Sequence, residues 1–142
     1  MFETPIRVDY IDTDAMAVVH HSSYCRWLER VRVFWLDSVG EPYKKMEAEG
    51  LGFPLRELNI LYKKPLRFDD RAIVEIVEVD MKDLTVEIRY RIRSEDRKLV
   101  YALASSKHVL VEMSESKNGT EFKLVPIPKS WRSKWQQLKD QK

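Results

Sequence analysis

Carboxylates, imidazoles and a phenol crowd into one short stretch, Tyr10-Ile11-Asp12-Thr13-Asp14-Ala15-Met16-Ala17-Val18-Val19-His20-His21. Either aspartate could serve as a general base or a nucleophile, and a histidine could orient a substrate or a water. Each also has a plainer explanation. Aspartate is common in turns because its side chain bonds its own backbone, and His21 could simply be a polar residue of a first helical turn. A metal site built from Asp12, Asp14, His20, His21 and His108 is disfavoured: adjacent histidines point in different directions, and no H-x-x-x-H or C-x-x-C spacing occurs. Cys25 is a poor nucleophile, since it lies beside an apolar stripe with no base arranged for it. The four glycines form no phosphate-binding loop.

The elements around this stretch must position it. Residues 4–10 read as a strand and residues 11–21 as an irregular connection. A helix follows from Ser23 to Val39, with Ser22 or Ser23 as N-cap and Gly40 as the stop. Its apolar stripe is Tyr24, Trp27, Leu28, Val31, Phe34, Trp35 and Val39. A short helix, Tyr43–Glu49, ends at Gly50. Strands are expected over Leu55–Tyr62, Ala72–Asp80, Leu84–Arg93 and Leu99–Met113. The third places Val86, Ile88, Tyr90 and Ile92 on one face and Glu87, Arg89, Arg91 and Arg93 on the other. A turn at Lys117-Asn118-Gly119-Thr120, where Asn-Gly favours positive φ, leads to a strand over Glu121–Val125. A helix over Ser130–Leu138 closes the chain. Strand, long helix, then antiparallel meander describes an α+β domain over residues 1–142, with the Trp-rich helix covering one sheet face.

The 142 residues suffice to bury roughly 70% of the unfolded surface without disulfides. The net charge of +2 is too small to argue for nucleic acid. The basic excess is local, Lys129, Arg132, Lys134, Lys139 and Lys142 against Asp140, and reads as a solvated terminal helix. No apolar run approaches the ~20 residues of a transmembrane segment, and no secretory signal opens the chain. Cys25 is alone, which suits a reducing, cytoplasmic setting.

The segment Asp12-Thr13-Asp14-Ala15, Ala17, Val18-Val19, His21 and Tyr24, preceded by Tyr10, resembles the 4-hydroxybenzoyl-CoA thioesterase branch of the hotdog superfamily. Within it, the likeness is greatest to the Tol–Pal-associated acyl-CoA thioesterase subgroup. It continues through Trp27-Leu28-Glu29-Arg30, Tyr62-Lys63-Lys64-Pro65 and Phe68-Asp69-Asp70. The resemblance implies a hotdog fold, an antiparallel sheet wrapped around one long central helix. It also implies homodimers, usually paired into homotetramers, with sites at the subunit boundary.

The implied activity is hydrolysis of an acyl-CoA to a free acid and coenzyme A, with no metal and no cofactor beyond the coenzyme A of the substrate. Asp14 would be the base or nucleophile, and backbone N–H groups near His21–Ser23 would polarise the carbonyl. His21 and Tyr10 join Asp14 as catalytic candidates; His20, Ser22, Ser23 and Tyr24 are candidates for contact with substrate. Asp12 reads as a turn residue. Arg89, Arg91, Arg93, Lys98 and Lys107 are candidates to receive the CoA phosphates. The competing readings are a hotdog dehydratase or hydratase and a non-catalytic acyl-binding protein. Ala17 stands where glycine is usual, so a positive φ there would cost of order 1 kcal/mol.

Overall fold

The apolar stripe expected near residues 23–39 becomes the buried side of a helix, α1 (His21–Val39). Tyr24, Trp27, Leu28, Val31, Trp35, Leu36 and Val39 are all buried. Phe34 is the exception; it sits at the rim, its ring edge-on to Phe2 at 5.2 Å. The structure, a computed structural model, describes residues 2–40 and 42–140. Lys142 of the basic tail lies outside the described residues.

Around α1 the remaining elements run β1 (Phe2–Arg7), α2 (Tyr43–Ala48), β2 (Leu51–Gly52), β3 (Leu55–Tyr62), β4 (Arg71–Met81), β5 (Thr85–Arg93), β6 (Val100–Ser116), β7 (Gly119–Val125) and α3 (Lys129–Asp140). All the strand pairs are antiparallel. β6 is the spine: its first half lies between β5 and β3, and its second half pairs with β2 and β7. The row is thus β1-β4-β5-β6, with β3 beyond β6 at the edge. This is the expected antiparallel sheet with one long helix against it.

Alternation decides the sheet's two faces. Val86, Ile88, Tyr90 and Ile92 of β5 are buried as the pattern predicts, and join Ile6, Ala72, Val74, Ile76 and Ala102 in one core with α1. The opposite face carries the charges, but these are not simply solvated. Glu75 is fully buried, its Oε1 accepting from Arg91 Nε at 2.6 Å and lying 3.2 Å from Arg93 Nε.

Several boundaries differ from the sequence expectation for local reasons. β1 ends at Arg7, and Tyr10–Asp12 form a short 3-10 helix, not the end of a strand. α1 starts at His21 because His20, not a serine, caps it: His20 Nδ1 accepts from Ser22 N–H at 3.2 Å. At the β6–β7 hairpin the turn is centred on Lys117-Asn118, and among these residues only Gly119 has positive φ, +104°. α3 is more than a solvated tail. Trp131 and Trp135, one helical turn apart, are buried edge-on to Trp35 at 6.3 and 6.2 Å. Each large ring removes roughly 150–250 Å² from water, which makes α3 part of the core. Among the described residues no helix is long and apolar enough to cross a membrane.

Candidate active site

The chemistry-bearing stretch folds into a knot of local hydrogen bonds. Asp12 is buried: its Oδ2 accepts from Asp9 N–H at 2.9 Å, and its Oδ1 is paired with the Arg26 guanidinium on α1. Its carbonyl accepts from His20 N–H at 2.7 Å. The chain then turns back on itself. Thr13 bridges Val19, Asp14 N–H donates to the Val18 carbonyl, and Ala17 N–H donates to the Asp14 carbonyl, both at 2.9 Å. The turn does require positive φ at Ala17, +63°, the strained conformation anticipated for a residue with a Cβ. Asp14 Oδ1 accepts from Met16 N–H at 2.8 Å. One carboxylate oxygen therefore fixes the side chain, and the other has no hydrogen bond to a described residue.

This turn delivers Asp14 to the start of α1. Ser22 N–H is taken by His20 Nδ1, and Ser23 N–H by the His20 carbonyl at 3.0 Å. Among the described residues, His21 N–H is the first-turn donor left unpaired, at the positive end of the helix dipole. Of the three N–H groups of His21–Ser23, those of Ser22 and Ser23 thus have partners.

Asp14 and His21 line one cavity of about 410 Å³ with Val18, Val19, Tyr24, Tyr62, Lys63, Lys64 and Pro65. Tyr24 and Tyr62 meet edge-on at 4.9 Å. Burial, with the Tyr62 charge second, pushes the Tyr24 phenol up to about 12, so it stays a neutral donor at physiological pH. Burial likewise raises Tyr62, with the nearby Cys25 second. Lys63 and Lys64 are held where β3 ends, since both their N–H groups donate to the Tyr101 carbonyl, at 2.8 and 3.1 Å. Neither lysine forms an ion pair with a described residue.

The other expected site residues stand apart from this cavity. Tyr10 is 77% exposed and packs edge-on against Phe68 at 5.7 Å. His20 is the helix cap, its ring 4.0 Å from that of His21. Ser22 Oγ meets His20 Nδ1 at 2.8 Å. Ser23 is buried, with Oγ accepting from Arg26 at 3.2 Å and lying 3.5 Å from the Asp12 carbonyl. Asp12, read as a turn residue, is also an anchor for the loop. Sequence reasoning missed Val18, Val19, Tyr62, Lys63, Lys64 and Pro65 as lining residues; the run Tyr62-Lys63-Lys64-Pro65 carried part of the resemblance without being assigned a role.

Most of the basic residues proposed for phosphate are already neutralised. Arg89 pairs with Glu78 at 2.9 Å, Arg91 and Arg93 share Glu75, and Lys107 lies 3.5 Å from Glu57. His108 is not a ligand beside the other histidines. It is fully buried, stacked on Phe53 at 4.6 Å, and its Nε2 meets Ser106 Oγ at 2.8 Å.

The chain is similar to known proteins over most of its length. Residues 8–135 match the thioesterase-like superfamily. The chain is 31% identical over 100 residues to the acyl-CoA thioester hydrolase YbgC of Escherichia coli O157:H7, covering 70% of this chain and 75% of that protein. It is 29% identical over 139 residues to the acyl-CoA thioesterase YbgC of Haemophilus influenzae, covering 97% and 96%. The crystal structure of a hypothetical protein, AQ1494, from Aquifex aeolicus superposes with a TM-score of 0.79 at 36% identity, over 94% of this chain and 98% of that one. The turn that carries Asp14, the helix that begins at His21 and the sheet beneath them thus belong to a fold already known for thioester chemistry, and this chain is a member of the thioesterase-like superfamily.

Proposed function

We propose that this protein hydrolyses acyl-CoA thioesters, with Asp14 as base or nucleophile and the His21 N–H as the donor to the carbonyl oxygen. The observation that carries this reading is the shared cavity: it is lined by Asp14, one carboxylate oxygen of which is free among the described residues, and by His21, whose helix-end N–H is unpaired among them. A thioester carbonyl placed there is polarised by His21 N–H and meets either Asp14 itself or a water deprotonated by Asp14. The tetrahedral intermediate collapses by breaking the C–S bond: attack by water gives the free acid directly, whereas attack by Asp14 gives an acyl–Asp14 anhydride that a water then hydrolyses to the acid and the regenerated carboxylate. The coenzyme A thiolate leaves without help from a metal, because a thiolate is a good leaving group. No cofactor is required beyond the coenzyme A of the substrate.

His21 starts the helix and lines the cavity, where its imidazole would orient substrate or water. Tyr24 offers a neutral hydroxyl. Lys63 and Lys64 supply positive charge for the anionic coenzyme A, a better-placed pair than the sheet-face arginines. The exposed edge strand β3 supports a homodimer formed edge to edge and paired again into a tetramer, with a partner closing the site. A cytoplasmic location fits the lone Cys25.

The test is a panel of acyl-CoAs assayed with a free-thiol reagent, run beside sedimentation of the same protein. Thiol release with dimers or tetramers is the expected result. Tight acyl-CoA binding without thiol release would replace this reading with an acyl carrier, and water addition to an enoyl-CoA would replace it with a hydratase.

A further inference from the structure

Lys63 and Lys64 are exposed, yet their backbone is bonded into the catalytic loop. Both N–H groups donate to the Tyr101 carbonyl, and shortly after them the Leu66 carbonyl accepts from Val19 N–H at 2.8 Å. Val19 bridges Thr13, and the neighbouring Val18 carbonyl accepts from Asp14 N–H at 2.9 Å. Leu66 is fully buried, so this junction is closed to water. The lysine segment and the Asp14 turn are therefore one hydrogen-bonded unit. The cavity of about 410 Å³ lies against that unit, and of the lysines described only these two line it.

This places two amines beside the space where a thioester is to be opened. An amine is a nucleophile, and a thioester carbonyl is an electrophile that it can attack. Neither lysine forms an ion pair with a described residue, so no carboxylate holds either amine in its charged form. A donor that polarises the carbonyl for attack by water or Asp14 polarises it equally for attack by nitrogen. The positive charge of the pair also draws the anionic coenzyme A to these same side chains, which keeps ester and amine together.

We infer that Lys63 and Lys64 form a self-acylation site, to which bound acyl-CoA transfers its acyl group as a slow side reaction of hydrolysis. The inference rests on the thioesterase reading above. The lysine ammonium first gives a proton to solvent. The neutral nitrogen then bonds the carbonyl carbon, the C–S bond breaks, and a second proton leaves with the coenzyme A thiolate as the thiol. The products are an acyl-lysine amide and coenzyme A, so no oxidant or further reactant enters. Only the neutral amine attacks, which keeps this path slower than hydrolysis at neutral pH. The amide persists in the site, because its nitrogen is a far poorer leaving group than a thiolate. Each event removes one positive charge from the cavity. Acyl-CoA beyond what the enzyme clears therefore weakens the enzyme's own hold on acyl-CoA.

The test incubates the wild type and Asp14→Asn with butyryl-CoA at pH 8 and maps adducts by peptide mass spectrometry. Asp14→Asn leaves the ester unhydrolysed and so lengthens its exposure to the amines. The N-hydroxysuccinimide ester of butyric acid, which needs no binding site, calibrates the intrinsic reactivity of each lysine. Relative to that calibration, butyryl-CoA should label Lys63 and Lys64 tenfold or more faster than the exposed Lys82, Lys117, Lys123 and Lys134. The labelling rate should saturate with butyryl-CoA and rise from pH 7 to pH 9. Labelled wild type should show a several-fold higher KM for acyl-CoA. The double variant Lys63→Arg with Lys64→Arg keeps the charge but offers no acylable amine, so its KM, whatever its starting value, should not drift on incubation. Labelling spread over all lysines as the calibration dictates, a rate linear in butyryl-CoA, label on Cys25 in place of the lysines, or a drift that persists in the double variant would overturn the inference. The adduct map of the wild type decides the matter alone should the variants not fold. Thiol release without adducts at Lys63 or Lys64 defeats this inference only; no thiol release from any ester defeats the thioesterase reading itself.

Discussion

Replacing Asp12 and Asp14 in turn by asparagine should separate an anchor from a reactive group. Asp14 is half-buried, and its Oδ1 accepts one backbone N–H. An asparagine oxygen keeps that bond, so Asp14→Asn should stay within about 0.5 kcal/mol of wild-type stability. Its amide is neither base nor nucleophile, and kcat should fall about 10²–10⁴-fold. Asp12 is different. Both its oxygens accept, one from Asp9 N–H and one from Arg26, and its side chain is 3% exposed. An asparagine there has one oxygen for two donors and points an N–H₂ at the other.

The charge-assisted bond to Asp9 is worth about 1.5–3 kcal/mol. The Arg26 partner is 58% exposed, so its share is screened to about 1 kcal/mol or less. Asp12→Asn should thus cost about 2–3 kcal/mol, a melting-temperature loss of roughly 6–10 °C in a chain of this size. Activity should fall as well, because the loop that aims Asp14 is loosened, but by less than in Asp14→Asn. The assay is thermal melting beside acyl-CoA hydrolysis at a temperature where all three proteins are folded. A wild-type melting point for Asp12→Asn, or a larger activity loss at Asp12 than at Asp14, would refute the assignment.

The remaining predictions concern His108, the cavity lysines and Gly40. His108 titrates near 3 in the folded chain and near 6.5 when unfolded, so between those values only the unfolded state takes up the proton. Stability should fall as pH drops below about 6.5, by at most ~1.4 kcal/mol per pH unit from this group. The loss between pH 6.5 and 5 should be shallower in His108→Gln, and equal slopes would show that burial does not hold the imidazole neutral. Lys63→Gln with Lys64→Gln should raise KM for acyl-CoA several-fold and flatten its dependence on salt. An unchanged salt slope would move coenzyme A elsewhere. At Gly40 a Cβ would stand 2.7 Å from Trp131 ring atoms, so Gly40→Ala should cost about 1–3 kcal/mol by overpacking. An unaltered melting point would mean that the ring gives way.

Some of this was legible in the sequence because it is periodic. The spacing of Trp27, Val31 and Trp35 gives α1, and the alternation of Val86 to Ile92 gives β5 and its buried face. The Asp12–His21 stretch was readable as a candidate site because its residue types recur in a known order. Register was not readable. Nothing local to Glu75 says that Arg91 and Arg93 will close over it, so charges that look solvated are spent on one another. Lys63 and Lys64 were missed because they reach Asp14 only when the end of β3 folds beneath the start of α1. The cap fell to His20 because an imidazole nitrogen can take a backbone N–H as well as a serine oxygen can. The two tryptophans of α3, four residues apart, did carry a signal of burial that the surrounding lysines obscured.

The tryptophan cluster also has a consequence for the order of synthesis. Trp35, 0% exposed, is covered by Trp131 and Trp135, and Trp135 in turn lies 5.5 Å from Phe2. β1 and α3 are therefore clasped over the middle of the long helix. A growing polypeptide can form α1 and pair β4 with β5, but Trp35 keeps an open flank until α3 has left the ribosome. A polypeptide halted before Trp131 would carry its sheet with that flank uncovered, the exposed apolar surface that invites aggregation or a chaperone.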